Sequence, residues 1–388
     1  MVSKSFVGGL AARALYSISG RQADQETYTA NTLSALTTLQ GWYNESSGLW
    51  DTTGWWNSAN CLTVLADFVA IQPDAATEVN IPVIIQNTFE QAQKTTVTAS
   101  KQFTAGGIPM STYTISKRSN TISERGFDNF LNDYYDDEGW WALALIHSAD
   151  LDVQGLGDQD YLGAASTIFE DMKDGASPCG GIYWSKVTNY TASIANELYL
   201  SVAASLANRM DNKQYYLYIA LAQWDWFKNS GLINSDNLIN DGLDPDTCEN
   251  NGGNTWTYNQ GVILGGLVEL YKATGDSSLL DTATSIAYAA IDAKSKNGVL
   301  YEGCEPDCGA DGAQFKGIFM RNLHYLQKVA PQDKFQTFIL DTADSIWAND
   351  RDSSTSGLGV TWSGPYETAT AGTQSSALDA LVAAIAVA

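Results

Sequence analysis

Asn132-Asp133-Tyr134-Tyr135-Asp136-Asp137-Glu138-Gly139-Trp140-Trp141 is the point where a long polar connection becomes a helix expected over 136–149. The three- and four-residue apolar spacing that follows it returns in segment after segment, which is the period of a helix with a buried face. Helices are expected over 25–43, 54–71, 79–99, 136–149, 158–172, 190–210, 212–228, 257–273, 278–293, 313–329, 333–349 and 373–387. Asp211-Asn212 before one helix and Gly275-Asp276-Ser277 between two others supply start and stop signals. Twelve helices joined by alternating short and long connections describe an all-α chain, an (α/α)6 barrel of six helical hairpins. A helical solenoid uses the same units, but no period of fixed length runs through the chain. The long connections, 102–135, 175–189, 231–256 and 297–312, are rich in Gly, Asn, Asp, Cys and Trp. Long irregular loops in a compact domain usually serve function. Regular alternation gathers these at one end of the barrel, where a cleft is expected.

Residues 1–22 read as an N-terminal segment and 23–388 as a single catalytic domain, with no linker dividing it. The 388 residues are 44% hydrophobic and 17% charged, which excludes disorder and coiled coils. The formal net charge of −23 repels nucleic acid and anionic membranes and suits a neutral partner such as a polysaccharide. Cys61 lies in an apolar helical run and reads as a buried free thiol. Cys179, Cys248, Cys304 and Cys308 lie in loops and allow two disulfides with three connectivities. Cystines, and the sequons at Asn44 and Asn189, favour an oxidising compartment. A secreted or cell-wall location is therefore expected, although 6–10 is too short for the core of a signal peptide. No run approaches the ~18 apolar residues of a membrane span. The end of the chain, Ala377 to Ala388, contains Asp379 and reads as the last barrel helix rather than an anchor signal, so membrane attachment is not expected. A monomer is expected.

Asp136 and Asp137 are adjacent carboxylates in an aromatic setting. Mutual repulsion and exclusion of water should make one of them keep its proton to higher pH. An acid beside a carboxylate is the equipment for cleaving a glycosidic bond. Acidic residues opening a helix also serve its dipole, so the pair needs support from elsewhere. That support is a set of groups delivered to the same end of the barrel: Trp55, Trp56 and Asn57 at the second helix, Asp133 before the fourth, Tyr183 and Trp184 in the loop before the sixth, and Asn196 on it. Trp256, Tyr258, Asn259 and Gln260 open the eighth helix, and Phe315 and Lys316 open the tenth. Aromatic faces stack on sugar rings while Asn, Gln and Lys hydrogen-bond hydroxyls.

The stretches Tyr134 to Ala144, Cys179 to Trp184, Thr255 to Gly261 and Phe315 to Phe319 resemble glycoside hydrolase family 76, the endo-α-1,6-mannanase family, and its fungal cell-wall members in particular. The resemblance runs from about Tyr28 to the C-terminus. It implies an (α/α)6 barrel and retaining hydrolysis of α-1,6-mannosidic bonds, with Asp136 as nucleophile and Asp137 as general acid/base. It implies no cofactor or metal, and α-1,6-mannan or a mannose-containing glycan as partner. Fungal relatives imply a transglycosidase alternative, in which the mannose core of a glycolipid anchor is passed to a glucan acceptor. A non-catalytic mannan-binding protein would need the aromatic cleft without both aspartates. The diphosphate-binding pattern Asp-Asp-x-x-Asp fails because Trp140 occupies its fifth position. The calcium-loop-like start at Asp150 lacks its closing glutamate, Tyr161 standing there instead. His147 and His324 read as structural.

Overall fold

The chain runs through α1 (Gly8–Gln40), the strand pair β1 (Tyr43–Asn44) and β2 (Leu49–Trp50), α2 (Trp55–Ile71), the short α3 (Pro73–Glu78), α4 (Ile81–Ala92), and a hairpin of β3 (Thr95–Phe103) and β4 (Pro109–Lys117). It continues through α5 (Tyr135–Ala149), α6 (Tyr161–Lys173), α7 (Ser193–Ala207), α8 (Lys213–Asn229), α9 (Thr257–Thr274) and α10 (Ser278–Ala293). The strand pair β5 (Ser295–Lys296) and β6 (Val299–Leu300), the single turn α11 (Gly309–Gly312), α12 (Phe315–Val329), α13 (Asp333–Asn349) and α14 (Ala371–Val387) complete it. The computed structural model describes residues 8–117 and 129–388, with side chains over 24–116 and 129–388.

Helices α2, α5, α7, α9, α12 and α14 pack side by side in that order, and α14 returns to α2 to close a ring. Each is separated in sequence from the next by a helix running back outside the ring, so the six inner helices are parallel. Helices α1, α4, α6, α8, α10 and α13 form the outer layer. The sequence distinguishes the layers. On α13 the buried residues are Phe335, Phe338, Ile339, Thr342, Ala343 and Ile346, one stripe at helical spacing. On α14 every residue from Ala371 to Ile385 is buried, because neighbours cover it on all sides. This is the twelve-helix (α/α)6 barrel that the apolar periodicity predicts. The expected boundary after residue 22 falls within α1.

Inner helices approach closely where glycine allows it. A Cβ on Gly261 would stand 2.7 Å from Phe319 Cα, and one on Gly317 would stand 2.5 Å from Ser376 Cα. Polar residues in the ring are tied to one another. Gln314 donates to the Asn57 carbonyl at 3.1 Å and accepts from Asn57 Nδ2 at 2.8 Å, and Arg321 donates to Asn60 Oδ1 at 2.5 Å while contacting Asp379 at 3.3 Å.

The expectation of an almost wholly helical chain is corrected by three strand pairs: Tyr43, expected to end the helix over 25–43, lies in β1, and the largest departure is β3–β4. The helix expected over 79–99 ends at Ala92, and the next residues pair as β3 with β4, from Thr95 opposite Lys117 to Phe103 opposite Pro109. Thr95, Thr96, Val97 and Thr98 are all β-branched, stiff in a helix and suited to a pleated strand. Gly107 turns the hairpin at φ 75°. The 102–135 connection is therefore largely an ordered ribbon, apart from its 118–128 stretch, which lies outside the described residues. The four loop cysteines form Cys179–Cys248 and Cys304–Cys308, and Cys61 is a buried free thiol, as expected. Among the described residues no helix is long and apolar enough to cross a membrane.

Candidate active site

The N-termini of the six inner helices meet at one mouth of the ring, and the paired aspartates stand there in the first turn of α5. The residue before this helix, Tyr134, is extended (φ −127°, ψ 123°), and its backbone belongs to a bridge with Ser185. The expectation that the backbone at the pair need not be helical is corrected: both aspartates lie in helical backbone, and the open first turn of α5 presents the two to one site. Glu138 turns away, accepting from the Asn132 backbone N–H at 2.9 Å and pairing with Lys186 at 2.7 Å.

Both aspartates meet one cation that the sequence analysis did not single out. Lys101 Nζ, from β3, lies 2.7 Å from Asp136 Oδ2 and 2.5 Å from Asp137 Oδ1. Oxygens touching the same nitrogen cannot be farther apart than those two distances laid end to end, which is compatible with the ~5–5.5 Å spacing of a retaining glycosidase. Asp137 Oδ2 also accepts from Asn132 Nδ2 at 2.6 Å and from the Tyr113 hydroxyl, on β4, at 2.9 Å. Asp137 is fully buried, whereas Asp136 retains 5% exposure and lines the cleft. Burial pushes the Asp137 carboxyl up to about 7, against the pull of Lys101 and with help from the charge of Asp136. Burial works to discharge Lys101, but Asp136, Asp137 and Asp311 outweigh it and raise its pKa.

Stacked rings line the cleft. Trp56 stacks on Trp140 (5.4 Å between centroids), Trp140 on Tyr258 (6.5 Å), and Tyr258 on Phe315 (4.0 Å). Across from them Trp184 packs against Phe103 at 5.2 Å. Asp311 accepts from Trp56 Nε1 at 2.9 Å and from the Ser111 backbone N–H at 2.7 Å, and Asp241 accepts from the Tyr190 hydroxyl at 2.5 Å. Burial raises the pKa of both carboxyls. The cavity enclosed by these groups amounts to only about 10 Å³.

Of the residues expected at the site, Trp56, Trp184, Tyr258 and Phe315 stand around Asp136. The others are placed differently. Trp55 is buried against Trp141, and Asn57 clamps α2 to Gln314. Asp133 accepts from the Ala99 N–H at 2.9 Å, which anchors β3. Tyr183 packs against the core, and Asn196 holds its loop by exchanging hydrogen bonds with the Ile182 backbone. Gln260 does the same with Ile239. Lys316 is buried between Glu305 and the Val360 carbonyl, over the Trp362 ring. Trp256 lines a separate groove of about 370 Å³ with Asn254 and Glu302. Asn259 is fully buried, and its amide has no hydrogen-bond partner among the described residues. Helix starts are where caps and loop clamps are needed, so polar residues there divide between architecture and the cleft. Not anticipated are Lys101, Phe103 and Pro109, which line the cleft from the hairpin, Trp140, Tyr190, Asp241 and Asp311, which line it from the ring and its loops, and Tyr113 and Asn132, which meet Asp137. For the hairpin, the β-branched run followed by Gly106-Gly107 was the available signal.

The fold and its relatives agree with this arrangement. A putative mannan endo-1,6-α-mannosidase of Schizosaccharomyces pombe is 29% identical over 279 residues, 63% of this chain and 62% of that protein. The chain spans between about half and three-fifths of the length of the curated relatives it matches. An inactive variant of the α-1,6-mannanase of Salegentibacter sp. HEL1_6, in complex with α-1,6-mannotriose, has the same fold at TM-score 0.73 and 22% identity, over 93% of this chain and 100% of that one. Dfg5 from Chaetomium thermophilum, in complex with glucosamine, does so at TM-score 0.73 and 17% identity, over 93% and 90%. The family model for glycosyl hydrolase family 76 matches residues 22–388, which takes in the whole ring, the acidic pair and its aromatic walls, and the chain belongs to that family.

Proposed function

We propose that this chain is a retaining glycosidase acting on α-1,6-mannosidic linkages, of the endo-1,6-α-mannosidase type, with Asp136 as nucleophile and Asp137 as general acid/base. The observation that carries this reading is the pair itself: two carboxylates on one helix turn, close enough to share Lys101, with only Asp136 lining an aromatic-walled cleft. In the first step Asp136 attacks the anomeric carbon and the glycosidic C–O bond breaks. The Asp137 proton goes to the departing oxygen, leaving mannosyl-Asp136 and ionised Asp137. In the second step Asp137 takes a proton from an incoming hydroxyl, whose oxygen displaces Asp136 with net retention. A carboxyl held near 7 is matched to donating at neutral or mildly acidic pH. The Salegentibacter variant solved with mannotriose is inactive and carries two Asp→Asn changes, in keeping with a need for two aspartates.

Trp56, Trp184, Tyr258 and Phe315 are the sugar-stacking walls in this reading. The chemistry is the same whether the incoming hydroxyl belongs to water or to a glucan. Likeness to Dfg5 of C. thermophilum, solved with glucosamine, makes a sugar acceptor the second arm of the test. Two cystines support a secreted or cell-wall setting. Incubation with α-1,6-mannooligosaccharides, with and without a glucan oligosaccharide, followed by NMR of the products, tests the reading. Shorter mannosides released first as the α-anomer are expected for hydrolysis, and a mannosyl-glucan adduct for transfer. Neither product appearing would sink the proposal.

A further inference from the structure

The cleft that should accept a mannose has no room for one. Its cavity of about 10 Å³ is at most the size that holds a single water. One wall of it is a single element outside the helical ring. Lys101 and Phe103 of β3 and Pro109 of β4 line the space, and Tyr113 of β4 reaches Asp137 from the same ribbon. Gly54 makes room for this, since a Cβ there would lie 2.8 Å from the Tyr113 ring.

A set of polar contacts holds the ribbon over the site, beside the burial of Val97 and the packing of Phe103 on Trp184. Beyond the Lys101 and Tyr113 contacts to the pair, the Ser111 N–H meets Asp311, the Lys101 N–H meets the Tyr134 hydroxyl at 3.0 Å, and the Ala99 N–H meets Asp133. At its tip, Asn254 Nδ2 donates to the Gly106 carbonyl at 3.0 Å. Its apolar cover is divided: Val97 is buried in the core and Ile108 packs against it, while Phe103, Met110 and Ile115 are 49%, 48% and 42% exposed. A two-stranded ribbon that the core covers on only part of its length opens locally at lower cost than the ring helices.

We propose that the β3–β4 hairpin is a gate, latched onto the acidic pair by Lys101 and Tyr113, which lifts to admit the glycan and in lifting readies Asp137 to donate its proton. The substrate in this proposal rests on the mannosidase reading above. With the gate shut, Asp137 is met by Lys101, Tyr113 and Asn132, all of which favour the carboxylate. Lifting removes the first two, and the glycan that takes their place keeps water from Asp137, so its burial persists. Asp137 then keeps Asn132 and faces the charge of Asp136, with Asp311 and Asp241 on the same cleft and the Lys101 ammonium withdrawn. With the glycan seated, the open state holds this proton more tightly than the shut one, so lower pH favours opening onto bound glycan. Lys101 is thus a positioning residue that acts through the pair.

A reversible lock tests the gate. A Cβ at Gly107 would lie 2.8 Å from Asn254 Nδ2 and 4.0 Å from its Cγ, so Gly107→Cys with Asn254→Cys places two thiols across the docking point. With the disulfide verified by mass spectrometry, turnover of α-1,6-mannotetraose by the oxidised variant is expected to be at least ~10-fold below that of the same variant after reduction, as for a lid that must open each cycle. Equal turnover of the oxidised and reduced forms would overturn the gate. Should wild type itself cleave nothing, the mannosidase reading fails by itself. The gate is then read from hydrogen exchange of the Ala99 and Lys101 amides, expected to be slower in the oxidised than the reduced variant, with equal rates refuting it. A second variant, Lys101→Met with Tyr113→Phe, serves if the cysteine pair does not fold. Its KM for mannotetraose should fall and lose its dependence on pH between about 6 and about 8, and an unchanged KM and pH dependence would count against the latch.

Discussion

Asp136 and Asp137 are neighbours in sequence with unlike surroundings. Asp137 is enclosed completely, and burial drives its carboxyl up to about 7. A general acid works only while protonated, so activity should hold below that value and fall as pH rises through it. A kcat/KM profile, which reports the free enzyme, with its basic limb starting near 7 is the expected result. Asp137→Asn should lower kcat on an unactivated mannoside by about 10²–10⁴, the usual general-acid contribution. A loss of under about tenfold would reassign the residue. The pair was legible in sequence because two carboxylates before two tryptophans at a helix start already invite this chemistry. Lys101 was not legible, since a lone lysine after a threonine-rich run carries no signal until pairing between strands swings it over α5.

At the scale of elements, helices were read best where one face meets the core. On α13, Phe335 to Ile346 repeat every three or four residues, and the expected bounds of 333–349 match the observed helix. The inner helices depend on tight approach. A methyl group at Gly317 would press within 2.5 Å of the Ser376 Cα and carbonyl oxygen, backbone atoms that cannot swing aside as a side chain can. Gly317→Ala should therefore cost about 1–3 kcal/mol, measured by urea unfolding, despite the better helix propensity of alanine. Stability equal to or above wild type would mean that α12 and α14 separate more readily than their packing indicates. The β3–β4 hairpin was misread because its first residues follow the apolar face of α4 without an intervening Gly or Pro. Only their β-branching opposed a longer helix.

For the whole molecule, buried carboxyls set how stability varies with pH. Burial raises Asp137 and Asp379 to about 7 and Asp350 to about 8. The folded state holds these protons more tightly than the unfolded chain, whose carboxyls titrate near 4. Stability from them is present at low pH and is lost as pH climbs toward about 8. His324 works the other way, since burial lowers it to about 4, but its effect is confined below its ordinary value of 6.5. Calorimetry should therefore find Tm falling between about pH 6.5 and about pH 8.5, and a rising Tm would contradict the burial of these groups. The net charge of −23 adds self-repulsion in the same direction. By itself the sequence determined the twelve helices, the barrel class, the free Cys61 and the identity of the acidic pair, because helix period and local chemistry are written in residues close along the chain. Only the tertiary structure decided which of Trp55, Trp56, Asn57, Tyr258 and Lys316 face the cleft, how the four loop cysteines pair, and that Lys101 and Tyr113 close over Asp137. Those contacts join residues far apart in sequence, or depend on which way a helix is turned within the ring, and they are fixed only when the six hairpins close on one another.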